Sequence, residues 1–408
     1  MTAAAPLPLA GIRVIDYSHF LAGPHMSRCL AAFGADVIKV ERPKAGDAGR
    51  AHGYFKDGQS GYFLQQNMGK RGLCIDIKDP RGRQLMLKLV EGADVFVENY
   101  RPGTLEKLGL GYAALSTLNP RLVYCSVSAF GHTGPDSHRP GFGLIAEAKS
   151  GAMAQLGSPD EPPPLLRMPL ADMYTGMHGV AAVCAALFGR ATSGRGQHID
   201  LALYDCMVSM HDYAVQRYFM SGEVDVPRRT GSQAPDTPVY GVFPAKDGYL
   251  VIAAQVDDAW GRLANLIGGE ALAADRRFTD PAGRAANFEA ATEIVSAWTR
   301  TRTVRDCLTA LDANEVPAAP VQAIDQVVAD PQIIARGMIV EQQHPVLGTV
   351  RLPNLPFRFS CWDTSPRSVA PMLGQHNREI ARELGMNDEE IDALMRDGVL
   401  FTEEAACR

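Results

Sequence analysis

An aspartate stands where the sequence pattern predicts the start of an apolar helix. Asp172 directly precedes residues 173–190, in which apolar side chains recur at steps of three and four, so one face of this helix is expected to be buried. A carboxylate in the position before a helix either accepts backbone N–H groups as an N-cap or takes part in catalysis. The positive end of the helix dipole is expected to keep it ionised. This stretch alone favours the N-cap.

The predicted helix also carries a second face of small residues, among them Gly176 and Gly179. Small side chains separate two packed backbones less than large ones do, so we expect a neighbouring element to approach this face closely. Beyond the helix, residues 193–197 (SGRGQ) predict a sharp turn into a strand at 198–203.

The composition is that of a folded protein with a sizeable core. A length of 408 residues exceeds what one hydrophobic core usually supports, so two domains are expected. Hydrophobic residues make up 46% of the chain and charged residues 21%, which excludes a disordered protein. The net charge of −6 argues against nucleic acid as a main partner.

Neither the first ten residues nor the cysteines suggest export. Residues 1–10 lack the charged and apolar regions of a signal peptide, and no apolar run approaches the ~20 residues that span a bilayer. The eight cysteines are scattered without a zinc-binding spacing, which predicts reduced thiols, a cytoplasmic location and no metal site. We expect Cys74, Cys125 and Cys184 to be small core residues.

Predicted strands and helices alternate through the first half of the chain. Strands are expected at 11–16, 35–41, 72–77, 94–97 and 122–127, and helices at 24–33 and 79–90. This alternation predicts an α/β fold with a mostly parallel, Rossmann-like sheet. The connections contain neither GxGxxG nor GxxxxGK[ST], so the usual dinucleotide and P-loop sites are excluded. The loop at 131–140 follows a strand, where open sheets commonly place a ligand.

The pattern changes after residue 224. Before this residue a helix is predicted at 204–220, and after it a hairpin at 239–254 and helices at 259–267, 288–299 and 304–314. A further strand pair is expected at 338–341 and 349–352, followed by helices at 374–384 and 388–395, the second opened by an N-terminal capping pair, Asn387 and Glu390. We interpret 225–330 as a smaller α+β domain inserted between two parts of a larger one, 1–224 and 331–408.

Basic residues collect near the ends of the predicted strands. In a chain of net negative charge they either bind a phosphorylated ligand or form a solvated surface, and spacing does not decide between the two. They are Lys39, Arg42, Lys70, Arg71, Lys78, Arg101 and Lys107. The histidines form no metal or triad pattern; His19 and His25 flank the first loop, and His178 is expected to be structural.

Four motifs in order along the chain resemble the class III CoA-transferase (CaiB/BaiF) family, which includes formyl-CoA:oxalate CoA-transferase and α-methylacyl-CoA racemase. They are residues 34–43 (GADVIKVERP), residues 97–103 (VENYRPG), Asp172 ahead of Thr175-Gly176, and residues 193–197. The resemblance covers nearly the whole chain. It implies a large Rossmann-like domain with a smaller second domain, assembled as an interlocked homodimer.

The resemblance also implies a site. Asp172 matches the family's nucleophile, and the matched CoA contacts are Leu21, Ala22, Arg42, Ile75, Asp76, Ile77, Lys78, Asn99, Tyr100, Arg101, Lys107, Pro140, Gly141, Phe142 and Gly143. In such an enzyme the carboxylate attacks an acyl-CoA, and a mixed anhydride and an aspartyl-CoA thioester follow. Backbone N–H groups at 21–23 are our candidates for stabilising the oxyanions. CoA is then a substrate, and no resident cofactor or metal is implied.

The departures from the family guide the choice of substrate. Residue 142 is Phe where the family's racemases carry a His, and racemisation needs two acid/base groups, so transfer is favoured over a racemase. Gly143 stands where many members have Asp, and residues 230–235 lack the glycine run of oxalate-specific members. His19, Arg71 and Arg167 suit a second carboxylate. We expect transfer from succinyl-CoA to itaconate, mesaconate or citramalate; a non-catalytic CoA-binding protein is the other alternative.

Overall fold

A six-stranded parallel sheet forms the centre of the larger of two compact units in the computed structural model, which describes residues 6–403. This unit takes in the described residues up to Ser150, then Leu166–His211, and the described residues from Pro331 onward. Its strands up to residue 202 are β1 (Arg13–Tyr17), β2 (Asp36–Glu41), β3 (Phe55–Lys56), β4 (Gln59–Ser60), β5 (Arg71–Cys74), β6 (Val95–Glu98), β7 (Val123–Ser128) and β8 (His198–Ala202).

The helices of the same part of the chain cover both faces of the sheet. They are α1 (Ala22–Ala32), α2 (Gly61–Asn67), α3 (Pro80–Glu91), α4 (Thr104–Lys107), α5 (Tyr112–Leu118), α6 (Gly143–Lys149), α7 (Leu170–Ser193) and α8 (Leu203–Ser209). The strand order is β5-β2-β1-β6-β7-β8, and every neighbouring pair is parallel. The predicted α/β fold with a large parallel sheet is therefore confirmed.

The second compact unit comprises Gly151–Leu165 and Asp212–Asp330 and has a core of its own around Trp260 and Phe243. It contains α9 (Ala214–Met220), β9 (Tyr240–Pro244), β10 (Tyr249–Ala253), α10 (Asp257–Ala273), α11 (Pro281–Ala286), α12 (Phe288–Arg300), α13 (Val304–Ala313), β11 (Ala318–Pro320) and α14 (Ile324–Ala329). The predicted hairpin is present as β9 and β10. The predicted helix at 204–220 is wrong as one element, because the chain leaves the helical path between α8 and α9.

The last part of the larger unit returns to the sheet. It contains α15 (Pro331–Ala335), β12 (Ile339–His344), β13 (Gly348–Pro353), α16 (Asn377–Glu383) and α17 (Asp388–Arg396). Asn387 and Glu390 form the predicted capping box, each side chain accepting the other residue's N–H at 3.0 and 2.9 Å. Helices α3, α16 and α17 bury one face of the sheet around Ile15, Ile38 and Phe96.

Helix α7 packs closely against α1, as its small residues predicted. A Cβ atom on Gly176 would lie 2.9 Å from the Ala22 carbonyl oxygen, and one on Gly179 would lie 2.1 Å from the Met26 methyl carbon. Contrary to the sequence prediction, α7 is long and apolar enough to cross a membrane by length and composition alone. Core helices pass the same test, and this helix packs against α1, α6 and α8.

Seven of the eight cysteines lie among the described residues, and none of these seven forms a disulfide. Cys74 and Cys125 are buried and Cys184 is partly buried, in keeping with a packing role. Cys407 lies outside the described residues. Residues 1–5, on which the expected absence of a signal peptide partly rests, lie outside them as well.

Candidate active site

A crevice opens at the carboxyl edge of the sheet where the strand order reverses. Strands β2 and β5 lie on one side of β1, whereas β6, β7 and β8 lie on the other, so the segments after β1 and β6 run apart. Open α/β sheets bind their ligands at such a point. A cavity of about 360 Å³ lies here, and its lining includes His19, Phe20, Asn99, Arg101, Phe142 and Asp172.

Asp172 lies in the first turn of α7 and not in the position before the helix. The helix begins at Leu170, and the N-cap position is held by Pro169, without a side-chain hydrogen bond. The predicted capping role is therefore wrong, because the helix begins two residues earlier than the apolar periodicity suggested. The carboxylate is instead one of the groups that line the cavity.

The pKa of Asp172 is raised and not lowered. Burial raises it to about 6, and the negative charge of Glu147 adds to the effect. The helix dipole does not lower this pKa, because the removal of the carboxylate from water, which disfavours its charged form, has the larger effect. A carboxylate with a pKa near 6 is mostly ionised at neutral pH and is a stronger base, and hence a stronger nucleophile, than an exposed aspartate.

Gly143 provides the space that the Asp172 carboxylate occupies. A Cβ atom built on Gly143 would lie 2.2 Å from Asp172 Oδ2, closer than any non-bonded contact allows. Gly143 begins α6, and Phe142 in front of it is mostly exposed and meets the Phe20 ring edge-on. The glycine that departed from the family pattern thus stands directly against the candidate nucleophile.

The loop after β1 is held by buried side chains. The Ser18 N–H and hydroxyl donate to Asp16 Oδ1, and the Ser18 carbonyl accepts from Lys39 Nζ at 2.5 Å. The Asn99 side chain accepts a hydrogen bond from the His19 N–H at 2.8 Å and donates one to the His19 carbonyl at 2.7 Å. The Phe20 N–H donates to Asp47 Oδ1 at 2.9 Å, which holds this residue at φ 61° in the left-handed region.

Two lysines that were candidates for phosphate binding belong to this network. Lys39 Nζ lies 2.7 Å from Asp47, and Lys70 Nζ lies 2.8 Å from Asp16, with all four side chains almost fully buried. Neither alternative from the sequence, a phosphorylated ligand or a solvated surface, applies to these two lysines, because they neutralise buried carboxylates beneath the loop. Burial alone would raise the pKa of Asp16, but the two ammonium groups outweigh it and hold that pKa well below its usual range.

Replacing Asp16 with asparagine should therefore destabilise the larger unit. Removing one partner of a buried ion pair costs about 3–5 kcal/mol of unfolding free energy, because an uncompensated charge stays buried. A carboxylate whose folded pKa is lowered stabilises the fold above its unfolded pKa, so the difference between wild type and Asp16→Asn should shrink as the pH falls below about 4. Urea unfolding at several pH values measures both effects. Asp392→Asn, which removes an exposed pair with Arg378, should cost about 1 kcal/mol or less.

Most of the other residues predicted to contact CoA are divided among three separate cavities and the protein interior. Ala22, Asn99, Tyr100, Arg101, Gly141 and Phe142 line the cavity with Asp172. Ile77, Lys78 and Lys107 line a second cavity of about 500 Å³, and Arg42 lines a third of about 240 Å³. Leu21 and Ile75 are buried side chains. Asp76 and Pro140 line none of these three cavities.

Some polar residues considered from the sequence are engaged elsewhere. The Arg71 guanidinium pairs with Asp36, Glu379 and Glu383, so it is not free to bind a substrate carboxylate. His25 is buried against Gln66, and burial lowers its pKa to about 4. His19 does line the cavity, and burial lowers its pKa as well.

Two residues near Asp172 were missed by the sequence reasoning. Glu147 is buried on α6, and burial raises the pKa of the Tyr62 phenol on α2, to which the negative charge of Asp172 contributes. An acidic residue within the apolar run 143–148 was the available signal for Glu147. Within residues 6–403, no group of three or more His, Cys, Asp and Glu side chains is placed to hold a metal ion.

Comparisons with known proteins agree with this architecture. The family model described as CoA-transferase family III matches residues 9–377. The succinate–glutarate CoA-transferase of Agrobacterium fabrum is 39% identical over 92% of this chain and 96% of its own, and the succinyl-CoA–D-citramalate CoA-transferase of Chloroflexus aurantiacus is 34% identical over 97% and 98%. The crystal structure of a CAIB/BAIF family protein from Brucella suis has a TM-score of 0.83 and 38% identity, over 93% of this chain and 100% of that one. The chain thus belongs to CoA-transferase family III and is an enzyme of that class.

Proposed function

We propose that this CoA-transferase moves CoA from succinyl-CoA to a small dicarboxylate, with Asp172 as the nucleophile. The observation that carries the proposal is the partly buried Asp172 carboxylate in the cavity at the reversal of strand order. Glutarate and citramalate are named in two relatives that align over nearly the whole chain. Mesaconate and itaconate belong to the same class of four- to six-carbon dicarboxylates and are included.

The reaction follows from the chemistry of a carboxylate. An Asp172 oxygen bonds to the thioester carbon, the C–S bond breaks, and the CoA thiolate leaves behind a mixed anhydride. The thiolate then attacks the aspartyl carbonyl, which releases succinate and forms an aspartyl-CoA thioester. The acceptor carboxylate repeats the two steps in reverse order. The thioester bond energy passes from one acid to another, and each step balances without a further reactant.

The surroundings of Asp172 support these steps. Ala22 lines the cavity beside the loop pinned by Asp16, Asp47 and Asn99, and we assign the oxyanions to backbone N–H groups at 21–23. We assign the CoA moiety to the predicted contact residues, with Lys78 and Lys107 beside the second cavity as partners for phosphate.

Several wider expectations remain part of this proposal. They are an interlocked homodimer, a cytoplasmic location, the absence of a resident cofactor, and no nucleic acid or membrane as a partner. A smaller domain inserted between two parts of a larger one belongs to it as well, with the bounds that the compact units have.

A screen of donors and acceptors tests the substrate class. We expect the kcat/KM for glutarate, citramalate, mesaconate or itaconate to exceed that for a monocarboxylate of equal length by about 10²-fold or more, because a site built for a second carboxylate leaves its polar groups unpaired when the monocarboxylate is bound. Mass spectrometry of the acyl-CoA products measures this. Equal rates with monocarboxylates would refute the dicarboxylate assignment.

The two alternative functions, a racemase and a non-catalytic CoA-binding protein, predict different results. A racemase would exchange the α-hydrogen of a 2-methylacyl-CoA with deuterium from solvent in the absence of an acceptor acid. A non-catalytic CoA-binding protein would bind CoA and transfer nothing. We expect neither result.

A further inference from the structure

Helix α6 presents two residues, Gly143 and Glu147, to the first turn of α7. They are four positions apart and so lie on one face of the helix. Gly143 leaves room for the Asp172 carboxylate, and Glu147, in the next turn, is only 2% exposed. Acidic side chains are almost never buried to this degree without a partner.

The partner of Glu147 is the backbone of α7. Its Oε1 accepts the N–H of Ala171 at 3.2 Å. The first four N–H groups of a helix have no acceptor within the helix, and the Pro169 side chain in the N-cap position cannot supply one. Glu147 therefore caps α7 from a different helix, at the residue next to Asp172.

This arrangement places a second carboxylate beside the nucleophile. The titratable and charged groups that face Asp172 are Glu147 from α6, Tyr62 from α2, and His19 and Arg101, which line the same cavity. Burial and the charge of Glu147 both disfavour the ionised form of Asp172. When the Asp172 oxygen bonds to the acyl carbon and the C–S bond breaks, the negative charge leaves Asp172 for the thiolate sulfur. The repulsion from Glu147 is then relieved.

We propose that Glu147 is a positioning residue for Asp172: it fixes the first turn of α7 through the Ala171 N–H, and its charge favours the step that transfers negative charge from Asp172 to the departing thiolate. This inference rests on the proposed function, in which Asp172 is the nucleophile. It assigns the activation of that nucleophile to one face of α6.

The test is the pH dependence of Asp172 acylation in the Glu147→Gln variant. Acylation by succinyl-CoA in a single turnover, trapped with hydroxylamine and located by mass spectrometry, requires ionised Asp172, so in wild type the rate should rise with pH through about 6. Glutamine keeps the acceptor oxygen for Ala171 and removes the charge. We compare the acylation rate at about pH 5 as a fraction of each enzyme's own plateau rate. This fraction should be at least about threefold higher in the variant than in wild type. Its plateau should fall by about tenfold or less, because a less basic carboxylate is a weaker nucleophile.

The acid limb of the rate profile decides the outcome. A limb at the wild-type position in Glu147→Gln would overturn the proposal. Glu91→Gln on the exposed end of α3 is the matched control and should leave both limb and plateau unchanged.

A second variant keeps the test decisive if Glu147→Gln does not fold. Glu147→Asp retains the charge but shortens the reach to Ala171, so its plateau should fall while its acid limb stays near that of wild type; a limb moved to lower pH would overturn the proposal. If wild-type Asp172 is never acylated, the proposed function fails. If Asp172 is acylated and the acid limb has the same position in wild type and in Glu147→Gln, this inference fails while the proposed function stands.

Discussion

Asp172→Asn is expected to lower CoA transfer by at least about 10³-fold while the protein still folds and binds CoA. Asparagine has nearly the shape of aspartate, but its amide is a poor nucleophile and forms no anhydride with the acyl group. Steady-state transfer from succinyl-CoA to a dicarboxylate measures the loss, and calorimetric titration with CoA measures the retained binding. Hydroxylamine should label Asp172 in wild type during turnover and leave the variant unlabelled.

The control for this substitution is Asp258→Asn. Asp258 also lies in the first turn of a helix, α10, but it is exposed and belongs to the other compact unit. Its replacement should leave transfer unchanged. Transfer at the wild-type rate in Asp172→Asn would exclude a covalent role for Asp172 and favour the non-catalytic interpretation.

Gly143→Ala is expected to lower kcat by about 10²-fold with little change in thermal stability. The added methyl group would meet Asp172 Oδ2 at 2.2 Å, so the carboxylate has to move by about an ångström, and a displacement of that size costs about this factor when reacting atoms must be aligned. The KM for succinyl-CoA should change much less than kcat, since the contacts to the CoA moiety stay in place. Steady-state kinetics and a thermal unfolding scan measure the two effects.

Gly189→Ala on α7 is the matched control for Gly143→Ala. A Cβ atom at Gly189 has open space around it, and alanine is the better helix former, so this variant should keep full activity and gain about 0.5–1 kcal/mol in stability. A Gly143→Ala enzyme with wild-type kcat would show that the position of the Asp172 carboxylate is not critical for the chemistry.

Local sequence signals predicted the α/β units well. Gly34, at φ 104°, follows the C-cap residue Phe33 of α1 as expected, and the capping pair at Asn387 is formed, whereas α1 begins at Ala22, two residues before Pro24. Helix ends and strands report on backbone preferences that a few neighbouring residues determine. The cavity at the carboxyl edge of the sheet was expected for the same reason, because the alternation of strands and helices already implies a parallel sheet.

The details of the site could not be predicted from the sequence, because they depend on contacts between residues that are distant along the chain. The sequence left Lys39 and Lys70 as either phosphate ligands or surface cations, yet they form buried ion pairs with Asp47 and Asp16, and the spacing of charges along the chain does not reveal such pairs. Asp172 was interpreted as a cap because the apolar periodicity does not show that α7 begins at Leu170, and its raised pKa depends on burial and on Glu147 of α6. The importance of Glu147 likewise arises only when α6 lies against α7.

The pinned loop after β1 has a thermodynamic consequence for ligand binding. Asp16, Lys39, Asp47 and Asn99 fix the backbone of residues 18–20 from within the protein, so their conformational entropy is lost during folding and not when a ligand arrives. A cavity wall that is already rigid before the ligand binds lowers the entropic penalty of binding. The intrinsic contacts of the acyl-CoA with this wall can therefore be weak while the complex still forms, which leaves more of the interaction energy to the transition state.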